Sequence, residues 1–180
     1  MSHMTDTGIN PQCFRDLMAG VCAPVTVVST TDAGKPYGAT VSSFASLSLD
    51  PPLVTIALDH RSGLLAHILR VGRFGVNLLG HAQADLATLF AQRGADRFAE
   101  TMWHLDRGLP RLDGAAGWVV CAVHDVIAGG DHELILGRVE AASRAELPPL
   151  IYAHRTFGTH SRYEQRPRTL IVDQIAACAS

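Results

Sequence analysis

Between Tyr37 and Leu53 the chain reads YGATVSSFASLSLDPPL, and four of its small hydroxyls fall in one alternating register. Thr40, Ser42, Ser46 and Ser48 take the even positions. Val41, Ala45, Leu47 and Leu49 take the odd ones, and Phe44 alone breaks the polar register. Side chains alternate between the faces of a strand, so this pattern predicts one apolar face and one face of small donors and acceptors. An ordinary half-exposed strand more often carries Lys, Glu or Arg on its wet side, where charge also discourages edge pairing. Short uncharged hydroxyls instead let a flat polar ligand approach the backbone, and Gly38 and Ala39 clear space beside it. A Ser/Thr-rich strand of an all-β barrel with no ligand reads the same way.

A second spot with chemical content is Gly130-Asp131-His132, at the entry to a long strand. A glycine pair admits backbone angles that other residues avoid, so it can aim a side chain at a strand mouth. Histidine there can hydrogen-bond a ligand at neutral pH. Gly-Gly-Asp is equally an ordinary hairpin loop.

The elements that must position these residues can be read from periodicity. Pro11 to Met18 predicts a short amphipathic helix with Phe14, Leu17 and Met18 on one face. Ala23 to Thr31 is β-branched, turns at Asp32-Ala33-Gly34-Lys35-Pro36, and returns through Tyr37 as a hairpin. Asp50-Pro51-Pro52 ends that strand, and Leu53 to Leu58 forms a third. Ser62 can cap a helix carrying Leu64, Leu65, Ile68 and Leu69, closed by Gly72. Phe74, Val76 and Leu78 alternate as a strand, and Asp85 to Gln92 reads as a helix with Leu86, Leu89 and Phe90 inward. An irregular stretch from Asp96 to Gly114 precedes two long strands, Ala115 to Ile127 and His132 to Ala142. Six or more strands against two or three short helices predict a mainly β barrel and not a parallel βαβ sheet.

Composition sets the outer limits. The 180 residues suit one well-buried domain, taken as residues 5–180, with MSHM at residues 1–4 read as a tag remnant. The content is 47% hydrophobic and only 18% charged, against about 25% charged in a typical chain, so burial between subunits is expected. A net charge of -2 without a basic run argues against nucleic acid. With no apolar stretch of about 20 residues and no signal-peptide pattern, a cytoplasmic protein is expected. Cys13, Cys22, Cys121 and Cys178 form no CxxC pair and read as buried small apolar residues.

Together these segments resemble the flavin reductase family, whose fold is an FMN-binding split β-barrel. The resemblance runs through APVTVVSTTDAGKPYGATVSSFASLSLDPPLV, GRFGVNLL, ADRF with Trp103, GGDH and PPLIYAHRTFG. It implies that Tyr37, Gly38, Ala39, Thr40, Ser42 and Ser43 lie along a flavin. It further implies that Ala57, Leu58, Asp59 and Ser62 hold the ribityl chain and phosphate, with Arg97 adding a charged contact. The helix opened by Ser62 agrees, because its free N–H groups favour an anion. His132 matches the family histidine associated with the nicotinamide dinucleotide, and Phe157 an aromatic position beside it. The implied activity is hydride transfer from NADH or NADPH to FMN or FAD, with reduced flavin passed to a partner monooxygenase. No protein nucleophile or metal is required, and a homodimer is implied. Three other readings remain: a flavin-binding or electron-transfer protein on the same barrel, a metalloenzyme drawing on His124, Asp125, Asp131, His132 and Glu133, and an interaction domain whose serine face binds another protein.

Overall fold

The computed structural model describes residues 8–94 and 96–160, so the tag assignment at residues 1–4 and Cys178 lie outside the described residues. In chain order the elements are α1 (Pro11–Ala19), β1 (Ala23–Pro24), β2 (Thr26–Asp32), β3 (Lys35–Val41), β4 (Ala45–Leu49), β5 (Pro52–Asp59) and α2 (Gly63–Val71). There follow β6 (Arg73–Leu78), α3 (Ala84–Ala91), β7 (Trp103–Asp106), β8 (Leu109–Leu112), β9 (Gly117–Gly129), β10 (His132–Arg144), β11 (Ile151–Ala153) and β12 (Thr156–Gly158). The fold is mainly β with three α-helices, as the sequence predicts. None of these helices is long and apolar enough to cross a membrane.

Seven strands form one antiparallel sheet in the order β3-β2-β6-β9-β10-β5-β4. Its two edges, β3 and β4, are consecutive in sequence and joined only by Ser42, Ser43 and Phe44. A flat sheet would hold those edges about 29 Å apart, at roughly 4.8 Å per strand. The short link spans at most about 14 Å. The sheet therefore curls strongly, bringing its own edges together. Ser43 fastens the corner, its hydroxyl donating to the Ala57 carbonyl at 3.0 Å and accepting from the Ala57 N–H at 2.8 Å.

This corner corrects the expectation of one extended ribbon from Tyr37 to Leu49. The chain leaves one sheet edge after Val41 and rejoins the opposite edge at Ala45, with an irregularity between Ser46 and Ser48 that breaks the register again. The expected apolar face fails with it. Val41 is buried at 6% exposure, but Leu47 and Leu49 stand 52% and 90% exposed on β4, an edge strand of the sheet.

The β2–β3 turn places Ala33 and Gly34 at φ 48° and 76°, the two positive angles that a tight two-residue hairpin demands. One core packs Leu64, Leu65 and Ile68 of α2 against Val28, Ile56, Phe74, Val76 and Ile135 of the sheet. A second gathers Ala87 and Phe90 of α3 with Val27, Leu79, Phe98 and Leu112. Leu69, expected on the apolar face of α2, is 46% exposed instead.

The stretch expected to be irregular contains the β7–β8 hairpin, turned by Arg107 and Gly108 at positive φ. Buried Asn77 holds it to the sheet, donating to the carbonyls of Val27 and Pro110 and accepting from the Leu112 N–H at 2.8 Å. The PPLIYAHRTFG segment supplies β11 and β12, which with β1 make a three-stranded sheet. Helix α1 buries no residue, so Phe14, Leu17 and Met18 present an uncovered face. Among the described cysteines the expectation holds for Cys121 and not for Cys13 and Cys22, which are exposed.

Candidate functional site

A cleft of about 550 Å³ opens over the free edge of β3, between α2 and the C-terminal end of α3. Its strand wall is Tyr37, Gly38, Ala39 and Thr40. As an edge strand β3 has backbone groups that no neighbouring strand satisfies. One Arg97 nitrogen donates to the Gly38 carbonyl. In an antiparallel ladder the N–H and C=O of a residue face the same side, so the Gly38 N–H, and by alternation that of Thr40, also face the cleft.

Gly38 has a packing reason to lack a side chain. A Cβ there would lie 3.0 Å from both Phe90 Cε1 and Phe98 Cζ, whose rings stand edge to face at 5.0 Å. The aromatic pair thus supports β3 from behind and lets its backbone sit close to α3.

At the other end of the cleft, Ser62 occupies the N-cap of α2 in an extended conformation without a side-chain cap bond, and no acidic residue sits in the first turn. The first N–H groups are left to an outside acceptor. Asp59, just before this turn, would repel an anion, but Arg61 grips it through its backbone N–H at 2.7 Å and its guanidinium at 2.6 Å. Those bonds hold the Asp59 carboxyl well below the usual carboxylate range. Arg61, Arg93 and Arg97 all line the cleft, so it is cationic on balance.

Arg97 is also structural. Its guanidinium donates to the Gly38 and Gln92 carbonyls, clamping the β3 edge to the end of α3, while partial burial pushes its pKa down from the ordinary arginine value. On the far wall His67 stacks on Tyr37 with ring centroids 3.5 Å apart, and its Nδ1 lies 2.7 Å from Asp32 Oδ2. Arg70 and His67 together lower the Asp32 pKa.

The structure therefore gathers Tyr37, Gly38, Ala39, Thr40, Asp59, Ser62 and Arg97 around one cleft. Ser42, Ser43, Ala57 and Leu58 lie at the adjoining β3–β5 corner. His132 pairs with Asp59 across the β10–β5 ladder, which sets it beside the cleft's Asp59 end, with its Nδ1 2.7 Å from Asp131 Oδ1. Phe157 does not join them: it packs on Tyr152 at 5.1 Å, against the core beneath α3.

The expected ribbon of free hydroxyls is corrected too. Thr40 spends its hydroxyl on the Ala87 carbonyl at 2.7 Å, and Ser43 spends its own on Ala57. What the β3 edge has left for the cleft is backbone, at Gly38 and Thr40. Sequence reading missed Arg61, His67, Phe90 and Arg93; the first is adjacent to Ser62, but nothing local shows that α3 delivers Phe90 and Arg93 to the same place. Among the described residues no three His, Cys, Asp or Glu side chains converge as metal ligands.

The chain is similar to known proteins over most of its length. A "probable flavin reductase" of Rhizobium meliloti is 40% identical over 158 residues, covering 87% of this chain. This chain spans 51% of that relative's length. The reductase component of a 4-nitrophenol 4-monooxygenase/4-nitrocatechol 2-monooxygenase from Rhodococcus opacus is 37% identical, covering 81% of this chain and 78% of its own. Among solved structures, an NADH:FAD oxidoreductase of Streptomyces globisporus C-1027, in complex with NAD and FAD fragments, superposes with a TM-score of 0.79 at 30% identity, covering 85% of this chain and 96% of that one. The model of the flavin reductase like domain matches residues 18–161, most of the chain and the whole of the cleft, and this protein belongs to that family.

Proposed function

We propose that this protein is an NAD(P)H-dependent flavin reductase that binds FMN or FAD in the β3 cleft and delivers reduced flavin to a partner monooxygenase. One observation carries the reading: an unpaired strand edge faces a cationic cleft that ends at a helix N-terminus, in a chain of the flavin reductase family. These features suit a flavin. Edge N–H groups of Gly38 and Thr40 match the polar rim of a tricyclic ring, and the α2 N-terminus with Arg61 and Arg93 matches a phosphate.

A flavin held in this cleft would supply the redox chemistry, as the acceptor of a hydride from NADH or NADPH. The chain's own work is positional and electrostatic. Gly38 and Thr40 N–H groups, fixed by the ladder behind them, stabilise negative charge without reorganising. Arg97 holds the Gly38 edge in place. Arg61 keeps Asp59 neutralised toward an incoming anion, and the pairing of His132 with Asp59 supports a role for this histidine in orienting the coenzyme. No side chain in the cleft is needed as nucleophile, acid or base.

Residues 5–180 are read as one such domain. The three-residue link between opposite sheet edges supports the split-barrel description. Exposed Leu47 and Leu49 support a homodimer, which size-exclusion chromatography checks. Unpaired Cys13 and Cys22 suit the reducing cytoplasm.

The test is anaerobic mixing of NADH or NADPH with protein and FMN or FAD. Flavin absorbance should bleach far faster than without protein, and no bleaching in any combination ends the proposal. Because Phe157 sits away from the cleft, a flavin-binding protein without reductase activity is the second reading. It would hold flavin yet leave the coenzyme unconsumed in the same assay.

A further inference from the structure

One wall of the cleft carries a cluster that the proposed hydride transfer leaves unused. His67 of α2 lines the cleft with its ring stacked on Tyr37 at 3.5 Å, and its Nδ1 lies 2.7 Å from Asp32 Oδ2 at the end of β2. Arg70, on the same helix, donates to that Asp32 oxygen and comes within 2.7 Å of the same Nδ1. The side chains of His67 and Asp32 are 21% and 13% exposed, so the pair is sheltered from bulk water on most sides.

The arrangement leaves one ring nitrogen for a ligand. An imidazole whose Nδ1–H donates to Asp32 keeps Nε2 unprotonated while neutral, and among the described residues Nε2 has no hydrogen-bond partner. A second proton makes Nε2 a charged donor, in a ring that Asp32 and Tyr37 hold in place. Gly63, one helical turn before His67 and about 6 Å from it, also lines the cleft and has open space where a side chain would stand. The imidazole and the first N–H groups of α2 therefore border one end of the cleft. Around the ring stand Asp32 of β2, Lys35 across the hairpin from it, Arg70 of α2 and the Tyr37 ring of β3. The other walls add Asp59, Arg61, Arg93 and Arg97. Both carboxylates are already bound by an arginine, Asp32 by Arg70 and Asp59 by Arg61, so a charge gained at His67 is left for an anion from outside.

We propose that His67 is a proton-switched anion contact of this cleft: its Nε2 takes up a proton when a flavin phosphate binds and donates to that phosphate. Asp32 is then a positioning residue, turning the ring so that Nε2 and not Nδ1 meets the ligand. The proposal rests on the flavin reading of the cleft and deepens it, because it makes flavin affinity depend on pH through one side chain. An imidazole goes from neutral to charged between about pH 8 and pH 5. The cleft therefore holds a phosphorylated flavin more tightly on the acid side of that window and releases it more readily on the basic side.

The test is a set of equilibrium titrations of the full chain with FMN and with riboflavin, which lacks the phosphate, at pH 8 and pH 5.5. A flavin phosphate takes up a proton of its own near pH 6, so the quantity to read is the ratio of Kd in His67→Gln to Kd in wild type, in which that proton cancels. For FMN the ratio should stay within about twofold of one at pH 8 and rise to about tenfold at pH 5.5. For riboflavin it should be the same at both pH values. Asp32→Asn keeps the imidazole but loses its orienting carboxylate, so its FMN affinity should gain less than wild type between pH 8 and pH 5.5. An FMN ratio that does not change with pH overturns the proposal, as does a riboflavin ratio that climbs in step with it, because His67 would then act only as a wall of the cleft. Wild-type protein that binds neither flavin at either pH overturns the flavin reading beneath it.

Discussion

Replacing Arg97 separates two roles that the cleft assigns to one side chain. If Arg97 served only as a positive charge beside a phosphate, Arg97→Lys would preserve flavin binding and Arg97→Met would lose it. The structure argues for more than charge, since the guanidinium fork bridges the Gly38 carbonyl on β3 and the Gln92 carbonyl after α3. A lysine reaches one of these at most, because its ammonium is a point donor without a planar fork. Hydrogen bonds from charged groups contribute about 1.5–3 kcal/mol each when both partners are sheltered. Here the site is only partly sheltered, so about 1–2 kcal/mol is a fair cost for Arg97→Lys and about 2–3 kcal/mol for Arg97→Met. With a urea m-value of about 2–3 kcal/mol/M, the midpoint should fall by roughly 0.3–1 M for lysine and 0.7–1.5 M for methionine. Loosening the β3 edge also misplaces the Gly38 and Thr40 donors, so the FMN Kd should rise about tenfold in Arg97→Lys and more in Arg97→Met. Urea melts followed by circular dichroism, with FMN titrations of the same samples, check both. A lysine variant matching wild type in midpoint and Kd would refute the clamp; a methionine variant that also matched it would remove Arg97 from the site.

Ser43→Ala removes both bonds to Ala57 and should cost about 1–2 kcal/mol, together with flavin affinity, measured by the same melts and titrations. Gly75→Ala places a Cβ 2.0 Å from the buried Trp118 ring, so it should destabilise by about 3 kcal/mol or more, read from thermal unfolding. Asp32 is held ionised in the folded state by Arg70 and His67, so as pH falls below about 4 the unfolded chain takes up that proton first. Stability should therefore drop on acidification, and Asp32→Asn should show a smaller drop between pH 7 and pH 3 in urea midpoints. Burial pushes the Cys121 thiol up to about 12, so a thiol reagent at pH 8 should modify Cys13 and Cys22 in the native protein and Cys121 only after unfolding.

Local pattern was enough for most of the elements. The Ser62 start and Gly72 stop of α2, the hairpin turning at Ala33 and Gly34, and the alternation of Phe74 and Val76 all express short-range rules, and each appears where those rules put it. The β7–β8 hairpin was not legible, because its four-residue strands carry Pro110 and little alternation of their own. It exists because Asn77, more than 30 residues earlier, supplies its buried hydrogen bonds.

For the cleft, the sequence and the family resemblance singled out Tyr37 to Thr40, Ser62 and Arg97, and the fold gathers these residues along one cleft. The reason offered by alternation was incomplete. A period of two tells which side chains share a face, but not which strand stands beside which, and only long-range pairing made β3 an edge with its main chain open to the cleft. The same pairing sent Ser46 and Ser48 to the opposite edge, turned the Thr40 and Ser43 hydroxyls inward as structural bonds, and brought Phe90 and Arg93 in from α3. Hydroxyl spacing is a property of the chain. Which backbone groups remain unpaired is a property of the whole sheet, because each strand's neighbours satisfy or expose it.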